Sequence, residues 1–221
     1  MMAGDRRSVA CPGPSRRGVV AGGLAATFLP AVRALAHEAE PFVLPDAFQP
    51  TLVRLDAGLG EGEVHVLPNL FSLYWTLSGG EAIRFAIGVG RPGLYHSGRF
   101  TVGDKREWPS WKPTGAMIER DPDRYARYAD GMPGGPDNPL GARALYLFDD
   151  EGRDTFLRIH GTNDPRTIGT AVSNGCARLT NDHIMQLYGL VPLGTRVVLY
   201  RQGIPEALDA GGARGEGQEG T

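Results

Sequence analysis

Breakers punctuate this chain too densely for any long helix to run through it, which limits the fold before a single motif is considered. Glycine occurs 32 times and proline 17 times in 221 residues, a composition of short elements joined by turns rather than of a helical bundle. The apolar runs between breakers have strand length. Val64–Leu67, Phe71–Leu77 and Ala82–Val89 predict a β-meander turning at Pro68-Asn69 and at Ser78-Gly79-Gly80-Glu81. Ala144–Phe148 and Thr155–Ile159 predict a hairpin across Asp149-Asp150-Glu151-Gly152, and Thr195–Tyr200 the last strand.

Helical signal is confined to two places. Asp182–Tyr188 is expected to be a helix with Asn181 as N-cap, a buried stripe of Ile184, Leu187 and Tyr188, and His183 on its surface. Asp121–Tyr128 is a polar, helix-like run within a long irregular connection that begins at Trp108-Pro109-Ser110-Trp111-Lys112-Pro113 and ends in the breaker-rich stretch Met132–Gly141. Its tryptophans fit two roles, a lid over a groove or an apolar cap on one open end of the β core.

The length suits one domain with appendages. A formal charge of −2 gives no reason to expect a nucleic acid or other polyanion as partner. Residues 1–36 have the layout of a twin-arginine export signal: Ser15-Arg16-Arg17, then the apolar run Ala21–Pro30, then an A-x-A site at Ala34-Leu35-Ala36. The other readings are an unstructured arm or an uncleaved anchor, which would be the chain's one link to a membrane. Residues 37–62 are acidic and rich in Pro and Gly and read as a linker. Residues 63–201 form the expected domain, and 202–221 a disordered Gly/Glu-rich tail.

Export bears on the cysteines. Cys11 would leave with the signal, so Cys176 would enter an oxidising compartment as a lone thiol, a liability unless it is used. His160 lies upstream at the end of the predicted strand Thr155–Ile159, where Gly161-Thr162 begins a turn. An imidazole beside a thiol raises the fraction ionised and makes it a nucleophile. Gly175 lets a backbone approach a bound acyl group, the Gly175 and Cys176 N–H groups could meet an oxyanion, and Arg178 could clamp a carboxylate. The set suggests acyl transfer on a peptide with a free carboxylate. A metal site is not expected, because neither His65 nor His96 has a partner at ligand spacing.

His160-Gly161-Thr162, Ile168-Gly169, Ser173-x-Gly175-Cys176-x-Arg178-Leu179 and Gly194-Thr195-x-Val197 resemble the L,D-transpeptidase catalytic domain (YkuD-like) of bacterial cell-wall enzymes. Asn174 and Ala177 depart from the pattern, which often has His and Ile or Val there. The Asn174 change is expected to alter pocket polarity more than activity. Ser97–Gly103 is similar to the family's turn and strand beside the pocket. The resemblance implies a β-sandwich or open barrel, a periplasmic location, no cofactor, and peptidoglycan stem peptides as substrates, with carbapenems as covalent inhibitors. In the role it implies, Cys176 attacks a stem-peptide carbonyl with His160 as base. Ser173 orients the loop or His160, while Gly175, Gly161, Asn174 and Arg178 hold the substrate or its oxyanion. Hydrolysis of the stem, or binding to the wall without turnover, are the alternatives.

Overall fold

The computed structural model describes residues 42–55 and 58–203. The export signal, most of the predicted tail and Cys11 lie outside these residues. The chain runs as β1 (Thr51–Arg54), β2 (Val64–Leu67), β3 (Ser72–Thr76), β4 (Glu81–Ala86), β5 (Val89–Gly90), β6 (Gly98–Glu107), α1 (Gly115–Arg120), α2 (Pro122–Tyr125), β7 (Arg143–Phe148), β8 (Asp154–His160), β9 (Ala171–Ser173), β10 (Ala177–Arg178), α3 (Asn181–Leu190) and β11 (Arg196–Leu199). The fold is mainly β, as expected, with three short helices.

Nine strands form one mixed sheet in the order β1-β4-β3-β2-β11-β6-β7-β8-β10, and β5 pairs with β9 in a second. The meander β2-β3-β4 and the hairpin β7-β8 are antiparallel, whereas β11 joins β2, and β10 joins β8, in parallel. The sheet's two flanks meet. Beyond β4, Gly88 exchanges two backbone hydrogen bonds of 2.9 Å with Arg178 of β10, so the sheet curls into an open barrel with β1 left outside the seam as an edge. Only glycine fits there: a Cβ on Gly88 would lie 2.5 Å from the Thr167 carbonyl oxygen.

Alternation fills the interior. Val64, Val66, Leu73, Phe85, Leu145, Leu147, Ile159 and Val197 are all fully buried. Each aliphatic side chain removed from water contributes about 1.5–3 kcal/mol. Helix α3 closes the core with Ile184 and Leu187, both at 0% exposure. Lys105 holds the other end of that helix, donating from Nζ to the Tyr188 and Val191 carbonyls at 2.6 Å, where the helix dipole favours a cation.

Four expectations are corrected. Part of the stretch read as a linker joins the sheet: Thr51–Arg54 pairs with β4 as an edge strand, and its mostly exposed side chains carry no apolar alternation to betray it. The N-cap of α3 is Thr180, whose Oγ1 accepts from the His183 N–H at 3.3 Å; Asn181 instead accepts from the Ala142 N–H at 2.9 Å. His183 is buried at 6% exposure, because the lead-in packs over it and brings Gln49 Oε1 within 3.3 Å of Nε2. The run Ala82–Val89 also breaks into β4 and β5. Replacing Ile184 with alanine leaves a cavity between α3 and the sheet, and urea denaturation should record a loss of about 2–5 kcal/mol.

Candidate active site

Strand β8 delivers His160 through its pairing on both sides. His160 faces Ala144 of β7 and Arg178 of β10, and its carbonyl accepts from the Leu179 N–H at 2.8 Å. Ile159 and Ala177 fall on the core face of these strands. Arg158, His160 and Arg178 therefore share the opposite face with Cys176, and all four line one cavity of about 770 Å³. That is ample for a small peptide.

The imidazole is fixed by its own neighbour. Nδ1 lies 2.5 Å from the Gly161 carbonyl oxygen, and because a carbonyl can only accept, Nδ1 must carry the proton and Nε2 the lone pair. Burial, reinforced by the positive charge of Arg178, drives the His160 pKa down to about 3, so the ring stays neutral and able to accept a proton. Burial also pushes the Cys176 thiol up, against the opposing pull of the Arg158 backbone N–H and of the Arg158 and Arg178 charges. The resting pair is thus neutral thiol and neutral imidazole. Transfer of the proton belongs to the encounter with substrate, not to the free protein.

The nucleophile loop is tied internally by Ser173, which is buried at 1% exposure. Its Oγ donates to the Cys176 carbonyl at 2.6 Å and accepts from the Gly175 N–H at 3.2 Å. Ser173 therefore ties the loop to itself on both sides of Asn174. The same bond occupies the Gly175 N–H, so an oxyanion site built from both amides is not preformed. The Cys176 N–H has no such partner among the described residues. Gly175 keeps a glycine-dependent role: its φ is +125°, and a Cβ on facing Gly90 would lie 2.9 Å from its Cα.

Gly161 is not on the cavity. It accepts from His160 and packs under α3, where an added Cβ would sit 3.0 Å from Ile184 Cγ2 and closer still to Asn181 Oδ1, so its expected place among substrate-binding groups is corrected to one behind the base.

Asn174 does more than tune polarity. Its Oδ1 accepts from Arg91 Nη2 at 2.9 Å and from Arg120 Nη1 at 3.1 Å, and its Nδ2 donates to the Tyr125 hydroxyl at 2.8 Å. One amide thereby joins the nucleophile loop to the β5–β6 connection and to the helices α1 and α2. Those helices stand over the cavity, with Trp111 packed edge-on against Tyr128 at 5.7 Å and both rings on the cavity wall. Trp108 points elsewhere and is 43% exposed. The connection is therefore a wall of the cavity, not a cap on the core. Arg178, mostly buried, donates from Nη1 to Thr167 Oγ1 at 3.4 Å, and its Nε has no partner among the described residues. Arg91, Arg120 and Tyr125 were invisible as site residues in the sequence, where only the tryptophan- and proline-rich connection and the helix-like run Asp121–Tyr128 hinted at the wall they build.

No group of three metal-ligating side chains occurs among the described residues. What remains is a mainly β domain holding a thiol and a proton-accepting imidazole on one cavity, the equipment of nucleophilic cysteine chemistry. The chain belongs to the L,D-transpeptidase catalytic domain family, whose YkuD profile matches residues 63–199. It is similar to a putative L,D-transpeptidase of Fuscovulum blasticum, 41% identical over 56% of this chain and 61% of that protein. It is also similar to the probable L,D-transpeptidase YbiS of Escherichia coli, 32% identical over 85% of this chain and 56% of that one. The chain thus spans less than two thirds of these curated relatives. A solved Brucella melitensis structure named as a probable carnitine operon oxidoreductase is 47% identical, with 72% of this chain and 96% of that one covered and a TM-score of 0.49; that likeness adds nothing to the assignment.

Two outcomes test the geometry. Asn174→Ala removes three hydrogen bonds between wall and loop and should raise KM for a peptide donor about tenfold with kcat less affected, as steady-state kinetics would resolve. Iodoacetamide alkylation of Cys176 should be slow at pH 7 and still be rising past about 8.5, the ordinary thiol range. A rate that is fast and level from pH 5 upward would mean a preformed thiolate.

Proposed function

We propose that this domain is a peptidoglycan L,D-transpeptidase working through a Cys176 thioester. One observation carries the reading: the Gly161 carbonyl leaves the His160 Nε2 lone pair for the cavity that Cys176 lines. In the first half-reaction the Cys176 proton passes to Nε2 as Sγ attacks the carbonyl at the L-centre of a diaminopimelate-type residue in a stem peptide. The Cys176 N–H stabilises the oxyanion, with the Gly175 N–H joining if it leaves Ser173. The carbon–nitrogen bond then breaks. His160 returns its proton to the departing D-amino acid, and a thioester remains. In the second half-reaction the side-chain amine of another stem attacks that thioester, and the amine's proton returns through His160 to the thiol. Arg178, a buried guanidinium without an ion-pair partner among the described residues, holds a substrate carboxylate.

A base with its pKa near 3 is a weak acceptor for a thiol whose own pKa is raised, so the proton passes as the carbon–sulfur bond forms and acidifies the thiol, not before. We also place the domain outside the cytoplasm, in the periplasm, on the strength of the twin-arginine layout at Ser15-Arg16-Arg17 and the A-x-A site at Ala34–Ala36. Fusing residues 1–40 to a reporter that works only after export reads this directly, and a reporter left inactive in the cytoplasm would refute it.

Incubation of the mature protein with disaccharide-tetrapeptide should give cross-linked dimers that have lost one D-amino acid, seen by mass spectrometry. Trimmed stems without dimers would mean that water, not an amine, resolves the thioester. Carbapenem should add to the protein at one site, and Cys176→Ala should abolish the adduct and the dimers together. An adduct that survives this change overturns the assignment of the nucleophile.

A further inference from the structure

The cavity is cationic out of proportion to the chain. Lys112, Arg120, Arg124, Arg127, Arg158 and Arg178 line it, against the carboxylates of Asp137 and Asp164, although the whole chain carries a formal charge of −2. The ion pairs fall elsewhere. Arg106, Arg143, Arg153 and Arg196 lie off the cavity and pair with Asp104, Glu107, Asp149 and Glu63. Of the cavity arginines only Arg158 is so paired, to Asp154 at 2.6 Å. Arg120, Arg124, Arg127 and Arg178 form no ion pair among the described residues.

Two of these stand with exposed side chains on the α1–α2 side of the cavity. Arg120 reaches the loop by bonding Asn174 Oδ1 at 3.1 Å, sharing that neutral oxygen with Arg91. Two guanidiniums on one amide oxygen is an arrangement in which a carboxylate would be the stronger acceptor. Arg124 lies close enough for its charge to depress the Arg178 pKa, a smaller effect than burial. Like charges gathered without counter-ions destabilise a free protein, and the arrangement is relieved when an anion enters.

Resting on the function proposed above, we propose that Arg120 and Arg124 form a second carboxylate site beside Arg178. It selects stem peptides that carry a further free carboxylate over stems in which that group is amidated. Arg178 takes the carboxylate nearest the reacting carbonyl, and the α1–α2 wall takes the next. The four cavity arginines that form no ion pair among the described residues, Arg178 with its partnerless Nε included, fit a peptide with two acidic groups better than one with a single charge.

Binding, not turnover, gives the cleanest test, because it reads this site whether or not the thioester chemistry is right. The Cys176→Ser protein is titrated by calorimetry with disaccharide-tetrapeptide bearing free carboxylates and with its amidated counterpart. The free form should bind roughly tenfold more tightly, as a charge-assisted contact implies, and Arg120→Gln/Arg124→Gln should bring the two within about twofold. Because Arg120 also ties the wall to Asn174, Arg124→Gln alone separates lost charge from a loosened wall: it should narrow the preference while leaving the thermal midpoint unchanged. Equal binding of the two stems to the unsubstituted surface, or a preference that persists in the double variant, overturns the proposal. Loss of retention on an anionic polymer column with the stem preference intact would do the same, in favour of a surface for a polyanion. If stems bind with the expected preference yet no dimers form, it is the transferase reading that fails and not this site.

Discussion

Everything the site can do depends on one backbone carbonyl. The oxygen of Gly161 faces Nδ1 of His160, and because it cannot donate it decides which ring nitrogen holds the proton and which is left to receive one. That carbonyl is itself positioned by the sheet: the Gly161 N–H donates to the Arg143 carbonyl at 3.0 Å, extending the β7–β8 ladder one residue past His160. Beneath it, Asn181 at the start of α3 bonds the Ala142 N–H, and Gly141, at φ +64°, has room for no side chain against Gly161 and Thr162. The tautomer of the His160 imidazole is thus set by the packing of a helix on a hairpin.

The thiol answers to the same architecture from the other side. β10 pairs with β8 in parallel and with Gly88 across the barrel's seam, so the segment that follows Cys176 is clamped between two strands. Ahead of it, Ser173 bonds the loop to itself and Asn174 bonds it to the wall. A nucleophile on a loop gains the precision of the scaffold only when both ends are held in this way. The burial that fixes these groups also keeps them uncharged, so precision is gained at the expense of a resting thiolate.

The central strands were legible in the sequence as short apolar runs between breakers, because Val64–Leu67 and Ser72–Thr76 are buried along their whole length. Thr51–Arg54 was not, since an edge strand with exposed side chains has backbone pairing and little pattern. The cap of α3 was misplaced by one residue because Thr180 and Asn181 are both good capping residues, and only the backbone decides which accepts from the third amide. Cys176 and His160 could be picked out from residue chemistry and motif. The function of Asn174 could not, because its partners stand 49, 54 and 83 residues away along the chain and nothing local announces them. The same distance hid the wall arginines, which look like ordinary surface charge until the fold sets their exposed side chains around the rim of one cavity.

The chemistry open to the site turns on the state of the imidazole in the resting protein. Nitrogen chemical shifts of a ring-labelled His160, followed by NMR across pH 4 to 8, should show the neutral Nδ1–H form throughout with no titration step. A step near the ordinary histidine pKa of about 6.5, or an imidazolium at neutral pH paired with a thiolate, would contradict it.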